Sequence, residues 1–218
     1  MNSKISRWSV SGLYRVKASY PLTIQNSLCG GDCDYMFAVL PGGEFSITAF
    51  YAIRTTLGVQ VEASWTTHGY TYRGMFSQNM LTGERTTPQY SVVGRYILIA
   101  PSLTFQEEDS SGYTWRWTAG AGLGIPLGVT ITRTDIAANG SVVSDRYIYP
   151  SVRLLEPLVD MRLGTMIPLF WKGLYLTALL NYNLTSLFKI NDSFSHSVER
   201  AHALGIALGV QYSVPIGR

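Results

Sequence analysis

Apolar and polar residues alternate with a period of two in eight separate stretches of this chain. The longest clean one covers residues 7–20. Trp8, Val10, Gly12, Tyr14, Val16, Ala18 and Tyr20 share one parity; Arg7, Ser9, Ser11, Leu13, Arg15, Lys17 and Ser19 share the other. A period of two sends the sets to opposite faces of a strand. The first face is long enough to cross a bilayer, and the second keeps two charges in mid-strand. That polarity, apolar to lipid and polar to lumen, is the pattern of a transmembrane β-barrel strand.

Seven further stretches are predicted as strands, over about 44–54, 57–66, 90–105, 113–126, 154–169, 174–184 and 202–215. Thr55-Thr56 separates the second and third, which read as a hairpin. The fourth is the least regular. Tyr90, Val92, Gly94, Tyr96 and Leu98 form the face assigned to lipid, yet Val93, Ile97 and Ile99 fall on the other with Arg95. Pro101 is expected to mark a bulge there. The connections run long, short, long, short, long, short, long. Long extracellular loops and short periplasmic turns produce that sequence, with both termini periplasmic. The prediction is one domain over 1–218: an all-β, eight-stranded antiparallel up-and-down transmembrane β-barrel in a bacterial outer membrane.

The aromatics fit two interfacial belts. Trp8, Tyr113, Trp115, Trp171 and Tyr212 would lie near the short-turn end, and Tyr20, Phe45, Trp65, Tyr90 and Tyr182 near the other. Charged residues are 14% of the chain, against roughly 25% in soluble domains, which favours a membrane barrel over a soluble one. A net charge of +3 without a basic cluster sets nucleic acid aside. No transmembrane helix is predicted: the most apolar region, 163–180, is broken by Pro168 and by Lys172-Gly173. The first six residues carry no apolar leader segment, so an exported protein would be seen here in mature form. Cys29-Gly-Gly-Asp-Cys33 is expected to close a small disulfide in an external loop, with two free thiols or a metal site as alternatives.

Inward faces would place Arg15, Lys17, Glu44, Arg54, Glu62, Arg95, Arg116, Glu156, Asp160 and Arg162 in the lumen. Both signs are present, so paired side chains are expected to fill it rather than line a pore. Gly120, Gly122, Gly124, Gly205 and Gly209 also face inward and make room for them. The run Gly120-Ala-Gly-Leu-Gly-Ile-Pro fails the dinucleotide-loop pattern, because residue 125 is Ile and no helix follows. His196, Ser197, Glu199 and His202 cluster in the fourth loop. Neighbouring His196 and Ser197 would point opposite ways on extended chain, so a nucleophile–base pair is not implied. Catalytic residues, cofactor and metal sites are all predicted absent; His68 is isolated.

Three segments carry a resemblance: Leu57-Gly-Val-Gln-Val-Glu-Ala-Ser-Trp-Thr-Thr-His-Gly69, Tyr96-Ile-Leu-Ile-Ala-Pro-Ser-Leu-Thr-Phe105 and Ala119-Gly-Ala-Gly-Leu-Gly-Ile-Pro126. With them the chain resembles the small outer-membrane barrels of the OmpA and OmpX kind, and most of all the PorT-like barrel domains of Bacteroidota. The resemblance implies a non-enzymatic anchor, adhesion surface or subunit of a secretion or barrel-assembly complex. Its partners would be lipid and lipopolysaccharide, with proteins of the same membrane. One departure is the C-terminus, Val214-Pro-Ile-Gly-Arg218, which lacks a terminal aromatic. A narrow pore, a lipid-modifying enzyme and a soluble lipocalin-like barrel remain as alternatives, the last requiring nearly every strand to reverse its polarity.

Overall fold

A computed structural model of the chain describes residues 7–25, 38–73, 77–78, 85–137, 142–149, 157–185 and 200–216. Every described element is a β-strand: β1 (Trp8–Gln25), β2 (Ala38–Ala52), β3 (Leu57–Arg73), β4 (Ser77–Gln78), β5 (Arg85–Glu108), β6 (Thr114–Ala137), β7 (Val142–Tyr149), β8 (Leu158–Pro168), β9 (Leu174–Asn183) and β10 (Arg200–Ile216). All pairings are antiparallel, and β1 pairs with β10 as well as with β2. Eight strands therefore close on themselves in the order β1-β2-β3-β5-β6-β8-β9-β10. The short β4 and the β7 strand add to β5 and β6 outside that ring.

The register fixes the geometry. Stepping from partner to partner, Trp8 meets Tyr51, Val59, Leu103, Ala119, Leu163, Leu180 and Ile206, and the circuit returns to β1 at Ala18, ten residues on. Eight strands with a shear of ten tilt by about 40° and set the backbone radius near ~8 Å, a bore that side chains fill. Every residue on that circuit is apolar, and all of them face outward. Further outward residues include Ile47, Leu123, Met161, Leu208 and Val214, each about half exposed. Burying such a belt needs a hydrocarbon solvent, since an exposed apolar surface of this extent does not persist in water. The inward set contains Arg15, Glu44, Glu62 and Arg162, so the inside-out, lipocalin-like arrangement is overturned.

Three tight turns close one end. In the β5–β6 turn the Asp109 carboxylate accepts from the Ser111 and Tyr113 amides, and Gly112 takes a φ of 80°. In the β8–β9 turn Gly173 has a φ of 86° and its carbonyl accepts from the Ser213 amide at 2.7 Å, tying the turn to β10. Positive φ suits glycine at both places. At the other end the strands outrun the sequence prediction: β1 reaches Gln25, β3 reaches Arg73, and β6 continues to Ala137. Much of the stretch read as a loop over 128–152 is thus strand. β5 and β6 have 24 residues each, whereas β8 and β9 have 11 and 10. A spanning strand needs about 9–11 residues, so the β5–β6 pair stands well beyond β8, its neighbour in the wall, and β9.

Candidate functional site: a filled lumen

Inward side chains of β1, β2, β3 and β8 meet in mid-barrel. The Arg15 guanidinium bonds Glu44 and reaches Glu62 at 2.9 Å. Arg162, from the opposite wall, donates to Glu62 at 3.0 Å and to Glu44 at 2.7 Å. Each carboxylate thus lies between two guanidiniums, and all four side chains are buried. Lys17 Nζ sits 2.9 Å from His68 Nε2, and the His68 ring meets Tyr96 edge-on at 5.8 Å. Asp160 lies below 1% exposed, with its carboxylate 4.0 Å from Arg162 Nε. Arg15, Lys17 and Arg162 balance Glu44, Glu62 and Asp160, so this layer is electrically self-contained. Buried charges left unpaired are costly.

Glycines make the layer possible. Arg15, Asp160 and Arg162 have Gly209, Gly122 and Gly120 as cross-strand partners. A Cβ at Gly209 would strike the Tyr14 carbonyl and lie 2.7 Å from Arg15 Cα; one at Gly122 would strike the Asp160 carboxylate.

On the β5–β6–β8 side the filling is apolar instead. Val92, Tyr96, Leu98 and Leu158 are fully buried in the interior, while Ile97 and Ile99 face outward. This reverses the polarity expected for 90–105. Arg95 accordingly lies on the outer parity, half-buried, where its Nη2 donates to Thr130 at 3.3 Å. It does not belong to the lumen. Nor does Arg54, which is exposed in the 53–56 turn because β2 ends at Ala52. Pro101 causes no register shift: it faces outward opposite Val61. The shift lies between Arg95 and Tyr96, where β6 carries one extra residue, Leu127.

Arg116 occupies the short-turn half of the lumen, with its guanidinium carbon 4.4 Å from the Phe50 ring centre and 5.5 Å from that of Tyr175. Trp8, Tyr20, Trp65, Tyr113, Trp115, Trp171 and Tyr212 are exposed on the outer wall or at its rim, and Tyr182 is half-buried there. Cys29, Cys33, Glu156, His196, Ser197 and Glu199 fall outside the described residues, as does the side chain of Tyr90. His202 Nδ1 lies 3.2 Å from the Asn183 carbonyl, an ordinary strand-to-strand contact. Among the described residues no group of three His, Cys, Asp or Glu side chains could hold a metal ion. Sequence reasoning missed His68, whose polar parity on 57–73 was its one signal, and the apolar inner set of β5, which alternation does not reveal.

A closed antiparallel barrel with a lipid-ready exterior and a polar, filled interior defines a transmembrane β-barrel. No protein-family model matches the sequence, and no curated protein matches it. Among solved structures the chain is similar to the attachment invasion locus protein Ail of Yersinia pestis, with 10% identity, a TM-score of 0.40, and coverage of 96% of this chain and 99% of that one. Neisserial surface protein A shows 13% identity and a TM-score of 0.39, over 95% of this chain and 97% of the other. OprG from Pseudomonas aeruginosa shows 8% and 0.40, over 96% and 97%. The barrel assignment stands on the closed register and the polarity of the two faces.

Proposed function

We propose that this protein is a non-conducting, non-enzymatic barrel of a bacterial outer membrane. In this reading it anchors or scaffolds a protein assembly of secretion or barrel-assembly type through its long connections. Trp8 and Ile216, the outer ends of β1 and β10, pair at the short-turn end, which is taken as periplasmic; the long connections, with a Cys29–Cys33 disulfide in the first, would face outward against lipopolysaccharide and partners. The observation that carries the reading is the lumen. Arg15 and Arg162 from opposing walls clamp Glu44 and Glu62 between them, and Leu98, Tyr96 and Leu158 fill the space beside the clamp. A bore of this radius, filled in that way, leaves the outer surface and the long connections as the places where other molecules are met.

The test is twofold. The tagged chain, folded into planar bilayers, is expected to give no unitary conductance steps. Solubilised from outer membranes, it is expected to migrate in a heat-modifiable way and bring stoichiometric proteins with it. Reproducible conductance steps, or recovery from the soluble fraction, would each overturn the reading; purification without companions would remove the scaffold role.

A further inference from the structure

Charge is unevenly matched along the lumen. The mid-barrel layer balances its three cations with three anions, but Arg116 has no carboxylate within ion-pair distance among the described residues. Its residue is 9% exposed, and its Nε and Nη1 have no hydrogen-bond partner there. Glu108, the acidic residue on the same parity of its hairpin, sits at the exposed rim, its Oε1 3.8 Å from where a Cβ on Gly112 would be. A buried guanidinium without a counter-charge is costly.

Phe50 and Tyr175 stand against the guanidinium carbon from two strands. Their cross-strand neighbours are polar: Ser9 beside Phe50 and Gln211 beside Tyr175. Gln211 is fully buried with both amide atoms unpartnered, and the Ser9 hydroxyl is unpartnered too. Gln106, directly across from Arg116, has its amide nitrogen engaged by the Thr55 carbonyl at 2.9 Å. The site lies one inward position from the start of β6 at Thr114, at the short-turn end of the lumen.

We infer that the short-turn mouth of the lumen holds one small oxyanion, a phosphate or a carboxylate, on the Arg116 guanidinium. With the aromatic rings against its carbon, the guanidinium presents N–H groups, and paired N–H groups match the oxygens of carboxylate or phosphate. The buried Gln211 amide and the Ser9 hydroxyl supply the neutral donors. Such a site depends on the barrel alone and stands whether or not the protein is a scaffold.

The experiment is a calorimetric titration of the full chain, folded in detergent micelles, with inorganic phosphate and separately with acetylglycine, in chloride buffer. One saturable site per chain is expected, at least tenfold weaker in Arg116→Met and unchanged in Arg54→Gln. Competition between the two ligands would show the shared oxyanion chemistry; binding of one alone would identify free phosphate or a peptide carboxylate as the source. Heat-modifiable migration checks that Arg116→Met folds. Should it fail, nuclear magnetic resonance on the unmodified chain replaces it, with the Arg116 Nε–H expected to shift on adding either anion. No saturable binding, equal binding by Arg116→Met, or an unmoved Nε–H would overturn the inference.

Discussion

Strands β1 and β5, three places apart around the barrel, obey opposite rules. In β1 the outward residues are Trp8, Val10, Tyr14, Val16 and Tyr20, and the inward ones include Ser9, Ser11, Arg15 and Lys17. In β5 both faces are apolar over 96–100: Ile97 and Ile99 meet lipid, while Tyr96, Leu98 and Ala100 are buried inside. The difference lies in what each strand's inward side chains meet. β1 faces the carboxylates of Glu44 and Glu62; β5 faces its own interior cluster with Leu158. Alternation of polarity is therefore a property of the lumen's contents as much as of the membrane. Where the lumen is packed with hydrocarbon, polarity no longer distinguishes in from out, and only the partners' register does.

The sharpest way to break this comparison is to remove one carboxylate from the ionic side. Glu44→Gln leaves Arg15 and Arg162 facing one carboxylate fewer, and a loss of about 3–5 kcal/mol is expected in urea unfolding of the barrel folded into lipid vesicles. A loss below 1 kcal/mol would mean that the clamp is solvated. Next comes charge on the outer face of β5. Ile99→Arg, if that position lies near the bilayer midplane, is expected to cost about 2–4 kcal/mol in the same assay; a neutral result would return Ile99 to the interior.

A finer contrast pairs neighbours on the two faces of β5. Ile99→Ala loses only its transfer into lipid, about 2 kcal/mol. Leu98→Ala loses a similar transfer and also leaves a cavity, which carries such substitutions toward the upper part of the range of about 2–5 kcal/mol. Equal costs would sink the claim that Leu98 packs inside. The smallest effect belongs to Arg54→Gln, in the exposed 53–56 turn, where a change within about 0.5 kcal/mol is expected. A large one would place Arg54 back among the luminal charges.

How much was legible follows the same division. The outward faces of β1, β8, β9 and β10 were readable because each strand carries charge or amide on the opposite parity, as Arg15, Asp160, Asn181 and Gln211 do. The inward placing of Arg15, Glu44, Glu62 and Arg162 could be read singly, but their convergence could not. Arg162 lies 100 residues from Glu62 and 118 from Glu44, and nothing local couples them. Arg95 was misassigned because β5 offered no polar parity to oppose it. The bulge was misassigned because Pro101 has a local signature and Leu127 has none.

The amino-acid order by itself determined the class of fold: period-two alternation, a charge-poor composition and alternating connection lengths require a barrel with lipid outside. These are local quantities, set by which side of a strand each residue occupies. Closure decided the rest. A shear of ten over eight strands, read from Trp8 to Ala18, fixes which inward residues share a level of the lumen. That choice makes four distant charges one neutral cluster, leaves Arg116 without a counter-charge among the described residues, and sets a glycine beside each of Arg15, Asp160 and Arg162. Such properties arise only when residues far apart in the chain are brought to the same height across a bore about two side chains wide.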